Sequence, residues 1–192
     1  MSLVVHINGW PGVGKLTIAR LLAGTLNARL LDNHTLINPA EAMFARTDPA
    51  YYSFRADIRV LAFERAAQLP QGVNLVLTDA IAQEEPRHHA MFADCVTLAD
   101  RLGAKLISVV LDCAAEENAR RLVDASRREL RKLDAPDILA EIRRASTLLR
   151  PEGVPRIDLD VTHLTAEEAA ARIADRVSGL AGEPARTAPA GS

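Results

Sequence analysis

Gly9-Trp10-Pro11-Gly12-Val13-Gly14-Lys15-Leu16-Thr17 is the stretch whose residue types and spacing can act together chemically. Three glycines allow a bend in which backbone amides converge on one point, and a helix starting there adds the positive end of its dipole. Such a nest holds an anion, and with a lysine beside it the natural occupant is a triphosphate. The spacing Gly9, Gly14, Lys15 fits G-x-x-x-x-G-K-[ST] up to its last position. There the chain has Leu16, which cannot bind a metal, and the hydroxyl follows one residue later at Thr17. Nucleotide contacts are expected from Gly9, Pro11, Gly12, Val13, Gly14, Lys15, Leu16 and Thr17. Lys15 is the candidate bridge between the β- and γ-phosphates.

The flanking residues supply the elements that must position this loop. Leu3-Val4-Val5-His6-Ile7 reads as a strand before it, and Ile18, Leu21, Leu22 and Leu26 give helical spacing after it. Ala28-Arg29-Leu30-Leu31 is a short second strand ending at Asp32, followed by a polar loop at Asn33-His34-Thr35 and the punctuation Asn38-Pro39. Helical text runs from Ala40 to Leu69, broken at Thr47-Asp48-Pro49. The apolar run 73–78 is a third strand, ending at Asp79. Pro86 opens a helix that closes at Gly103, and residues 104–111 form a fourth strand ending at Asp112. A helix starting near Glu116 runs into the basic segment Arg127, Arg128, Arg131 and Lys132. A further helix runs from Asp134 through Leu149, residues 157–160 are a fifth strand, and Thr165 and Glu168 have capping-box spacing before a last helix. Strands alternating with helices predict an α/β fold: three layers, α/β/α, around a five-stranded parallel sheet. Its domain spans residues 1–181, with a disordered tail at 182–192.

The chain has 192 residues, enough to bury one substantial core. A hydrophobic fraction of 48%, a charged fraction of 25% and a net charge of −2 suit a globular protein with no overall attraction to nucleic acid. Neither a signal segment nor an apolar run long enough to cross a bilayer is visible, so a cytoplasmic protein without membrane partners is expected. Cys95 and Cys113 lack C-x-x-C spacing and read as buried thiols. His6 reads as core packing, and His88-His89 has no carboxylate or cysteine at zinc-ligand spacing. Phe92 and Trp10 are too isolated to form a stacking platform for nucleic acid.

With its strand and helix, the glycine-lysine stretch resembles the phosphate-binding loop of the P-loop NTPases. The order of elements over residues 3–180 is similar to the small metabolite kinases: shikimate kinase, gluconate kinase, chloramphenicol phosphotransferase and zeta-toxin-like enzymes. This resemblance implies a P-loop NTPase fold with a helical lid, and use of ATP with Mg²⁺. It implies that Asp32, just after the second strand, orients or deprotonates the acceptor hydroxyl. Phe54-Arg55 resembles the Phe-Arg of shikimate kinase and implies that Arg55 grips an acidic acceptor, with His34 a second acceptor contact. The glutamate before that pair and the glycine run after the third strand are missing. Arg121-Leu122 resembles the start of a lid and implies that Arg121 lies along the nucleotide. Arg128, with Arg127, Arg131 and Lys132, would close over the transferred phosphate, although Ala125 stands where the family has its second arginine. Thr17 and a Walker-B-like Asp79 are the candidates for placing the metal.

The function expected is transfer of the γ-phosphate of ATP to a hydroxyl of a small-molecule acceptor. The alternative is a nucleotide-binding module with slow or absent chemistry, acting through ATP-dependent lid conformation, and Leu16 favours it. The acceptor, the choice between ATP and GTP, and the oligomeric state are not readable from the residues.

Overall fold

The computed structural model describes residues 2–123 and 135–182. Five strands, β1 (Ser2–Gly9), β2 (Ala28–Leu31), β3 (Asn74–Asp79), β4 (Ala104–Asp112) and β5 (Arg156–Asp160), form one parallel sheet in the order β2-β3-β1-β4-β5. Seven helices are present among the described residues: α1 (Lys15–Thr25), α2 (Asn33–Met43), α3 (Pro49–Ala66), α4 (Pro86–Arg101), α5 (Ala115–Leu122), α6 (Pro136–Ala145) and α7 (Ala166–Gly182). Among the described residues, no helix is long and apolar enough to cross a membrane.

Helices cover both faces of the central strands, so those strands are apolar almost throughout. Along β1, Val5 and Ile7 join α1 and α7 in one core layer, with Ile18, Leu22, Ile173 and Val177. Val4 lies in the opposite layer with Leu77, Phe63 of α3 and Leu98 of α4. The edge strand β5 alternates exposed Arg156, Asp158 and Asp160 with buried Ile157 and Leu159, as a half-covered strand should. The capping box forms: the Thr165 amide donates to Glu168 Oε2 at 2.9 Å, and the Glu168 amide to Thr165 Oγ1 at 3.1 Å.

The structure corrects the sequence reading in three places. Asn33-His34-Thr35 is the first turn of α2 and not a loop, because Asp32 caps it by accepting from the His34 amide at 3.0 Å. Pro39 lies inside that helix. Burial of Ile37 and Ala40 against Tyr51 of α3 outweighs the backbone hydrogen bond that proline cannot make. The helix expected through Leu149 ends at Ala145, and Leu148 turns away to bridge Ala82 while the Leu149 amide donates to Ile81 O. Gly182 is the last residue of α7; the tail at 183–192 and the basic segment at 127–132 lie outside the described residues.

Candidate active site

At the carboxyl end of β1 the chain bends through residues 10–14 into α1. Gly12 has φ +91°, and a Cβ there would lie 2.8 Å from Asn118 Nδ2, so backbone geometry and crowding both demand glycine. Gly14, also left-handed at φ +100°, is the residue from which α1 starts. Lys15 Nζ donates to Gly9 O at 2.6 Å and Trp10 O at 2.8 Å, which folds its ammonium back over the loop. Leu16 is partly exposed and belongs to none of the apolar clusters, and the side of α1 that carries Thr17 is exposed.

Three side chains from outside hold the loop. Asn118 of α5, fully buried, donates Nδ2 to Pro11 O at 2.8 Å. Arg121 donates Nη1 to Val13 O at 3.3 Å, Nη2 to Val161 O at 2.9 Å, and Nε to Glu117 Oε1 at 2.6 Å. Hydrogen bonds from Arg120 and Arg121 draw the Glu117 carboxyl down to about 2. Nε and both terminal nitrogens of Arg121 thus each donate to the protein, which fixes the plane of the guanidinium beside the loop. Arg143 of α6 donates Nη1 to Asn118 Oδ1 at 2.9 Å and to Asp112 Oδ1 at 3.2 Å, with Nη2 reaching Cys113 O at 3.0 Å. Its guanidinium carbon lies 5.4 Å from the centre of the Trp10 ring. Sequence reasoning passed over Asn118 and Arg143, which carry no local motif; their partners are 107 and 25 residues away.

Asp32 stands just beyond β2 and accepts from the His34 amide and from Thr35 Oγ1, at 2.6 Å in the second case. The Asn33 amide donates to Thr78 Oγ1 at 3.1 Å, tying the start of α2 to the end of β3, whose Thr78 and Asp79 lie beside Ile7 and Asn8 of β1. His34, in the first turn of α2, is half-buried. Arg55 is half-buried on α3 and lies within electrostatic reach of His88, whose Nδ1 accepts from the Ala82 amide at 2.9 Å. Desolvation, then Arg87 and Arg55, hold His88 below its ordinary value. Among the described residues Arg55 itself forms neither an ion pair nor a hydrogen bond.

Asp79 has a different setting from the metal role expected of it. It is 1% exposed, and its oxygens meet His6 Nε2 at 3.2 Å and both terminal nitrogens of Arg59 at 3.3 Å. Burial opposes its charge, but the His6 hydrogen bond and the Arg59 guanidinium outweigh that and keep the carboxyl below its usual range. His6 packs edge-on to Phe92 of α4, so this group sits on the α3/α4 side of the sheet, opposite the layer that holds α1. His6, Asp79 and Cys95 could be read as a metal-binding trio. The Arg59 cation bonded to Asp79 and touching Cys95 Sγ at 3.6 Å argues against a metal there. Both cysteines are buried thiols, and desolvation raises the pKa of each.

A sheet of this order, with a lysine-bearing glycine loop between β1 and α1, defines a P-loop phosphate-binding domain. A family profile described as an AAA domain matches residues 5–144, and the chain belongs to that family. It is 29% identical over 129 residues to a shikimate kinase of Corynebacterium diphtheriae, covering 64% of this chain and 69% of the relative. A candidate kinase of Chloroflexus aurantiacus superposes with a TM-score of 0.69 at 16% identity, over 93% of this chain and 97% of that one. APS kinase of Mycobacterium tuberculosis, solved with AMPPNP and APS, gives 0.59 at 21% identity over 92% and 98%. The three-layer α/β/α fold and the similarity to small P-loop kinases are thus common to sequence and structure.

Proposed function

We propose that this chain is an ATP-dependent kinase that moves the γ-phosphoryl group to a hydroxyl of a small acceptor. The observation that supports it most is the loop: two left-handed glycines, a lysine folded over it, and three side chains bracing it from outside. Phosphoryl transfer asks the protein mainly for positioning and charge neutralisation. Lys15 would leave the Gly9 and Trp10 carbonyls for the β- and γ-phosphate oxygens, and the loop amides would hold the remaining oxygens. Asp32 is fixed by its own cap, which uses two of the roughly four lone-pair sites of a carboxylate. Its remaining sites would accept the proton of the acceptor hydroxyl. Arg55, with His34, is the candidate for an anionic group on the acceptor.

Mg²⁺ would supply charge neutralisation at the phosphates. Leu16 offers it no ligand, and Asp79 is committed to Arg59, which leaves Asp32, the Thr17 hydroxyl and water to meet a metal carried mainly by the phosphates. A protein that binds ATP without turning it over is the second reading. Leu16 favours it, being a leucine at the metal position with no place in the core.

The test is ATP calorimetry with and without Mg²⁺, followed by a screen of small hydroxyl acceptors. Lys15→Ala should weaken ATP by about 10- to 100-fold, as expected for lost charge-assisted hydrogen bonds. Asp32→Ala should abolish transfer while ATP affinity stays. ATP binding with no transfer to any acceptor, and Mg²⁺ dependence appearing only in Leu16→Ser, would put the second reading ahead.

A further inference from the structure

We infer that Asn118 and Arg143 are positioning residues for phosphate binding, which aim a loop amide inward by holding the preceding carbonyl from outside. This rests on the reading of residues 9–17 as a nucleotide cradle. In a trans peptide the carbonyl of one residue and the amide N–H of the next point in opposite directions, and the described residues contain no cis bond. When Asn118 Nδ2 holds Pro11 O at 2.8 Å, the Gly12 N–H is therefore turned to the other side of the loop. Arg121 on Val13 O does the same for the Gly14 N–H. Neither glycine amide donates to another described residue in the loop, whereas the Val13 amide is used in the turn, on Trp10 O.

Arg143 decides which end of the Asn118 amide faces the loop. A guanidinium has donors and no acceptor, so the group facing it at 2.9 Å must be Oδ1, and the NH₂ is then presented to Pro11. Arg143 is held in turn by Asp112 and Cys113 O. The sequence of contacts runs from a strand-end carboxylate through a cation and an amide to a loop carbonyl, and ends in the direction of one N–H. Gly12 belongs to the same device, since any Cβ there would collide with Asn118 Nδ2. A residue bracing only the core would have no reason to approach the loop backbone so closely.

The experiment uses the full chain and two substitutions that leave net charge unchanged. Asn118→Leu keeps much of the volume and loses the donor; Arg143→Lys keeps the cation and loses the fork. Affinities for sodium tripolyphosphate and ATP are measured by calorimetry well below the melting temperature, with Tm recorded for each protein. Asn118→Leu should weaken tripolyphosphate by about tenfold and Arg143→Lys by about threefold, the scale of one lost buried hydrogen bond. Trp10 is the only tryptophan, so its emission should shift in Arg143→Lys even without ligand. Affinities equal to wild type in both variants would overturn the inference, as would losses no larger than the unfolded fraction explains. If Asn118→Leu does not fold, Arg143→Lys alone decides. Wild-type protein that binds neither ATP nor tripolyphosphate would instead remove the nucleotide reading, and this inference with it.

Discussion

Two aspartates flank the loop strand, one at the end of each neighbour of β1, and each is met by an arginine from a helix. On one side Asp79 of β3 faces Arg59 of α3; on the other Asp112 of β4 faces Arg143 of α6. The first pair is enclosed, with side chains 2% and 11% exposed, and the second is open at 39% and 19%. Arg59 spends both terminal nitrogens on Asp79, adds Met91 O, and lies over the Phe63 ring at 4.4 Å. Arg143 gives its carboxylate one bond and has donors left for Asn118 and Cys113 O. The buried pair fastens a helix layer to the sheet, whereas the open pair reaches the loop. The same two residue types therefore serve stability on one side and the site on the other.

Breaking each pair should separate these roles. Arg59→Met leaves Asp79 charged, buried and short of a partner, and should lower unfolding free energy by about 3–5 kcal/mol in urea titrations. Arg59→Met with Asp79→Leu should recover most of that loss. Asp112→Asn should cost only about 0–1 kcal/mol, as for other solvent-facing pairs, while weakening ATP through Arg143. A large stability loss in Asp112→Asn would erase the distinction.

Acid sharpens the comparison. The Asp79 pKa is lowered from 3.8 on folding, so its stabilisation is fully present above about 3.8 and lost as pH falls through the lower folded value. Acid unfolding should accordingly be steeper in wild type than in the Arg59→Met/Asp79→Leu protein. The smallest effect concerns His88, whose folded pKa lies below 6.5. Its contribution is complete above about 6.5 and fades as pH drops toward the folded value. His88→Gln should flatten a decline in Tm of roughly a degree or two across that window.

The strands and the loop were legible because their signals are local: apolar runs of strand length, and glycines and a lysine at fixed intervals. Asp32 was legible as a strand-end carboxylate, but its neighbours were read as loop because Asn33, His34 and Pro39 each discourage helix on propensity alone. Packing of α2 on Tyr51 reversed that preference. Arg59 and Arg143 were indistinguishable from surface arginines, since each gains its meaning from an aspartate 20 or 31 residues away. Asp79 was placed correctly at a strand end. Which face of the sheet it served depended on a buried histidine and an arginine that spacing alone could not connect.

The helix that carries Lys15 packs beside α7, whose Ala169, Ala170, Ile173, Ala174 and Val177 complete the layer over Ile18 and Leu22. The earliest functional element in the chain thus depends on the last helix described. On the ribosome, at roughly 5–20 residues per second, residues 166–182 follow α1 by about 8–30 s. Throughout that interval the nascent loop has a strand behind it but lacks the completed layer that seats its helix, so nucleotide capture belongs to the finished polypeptide and not to its growing stages.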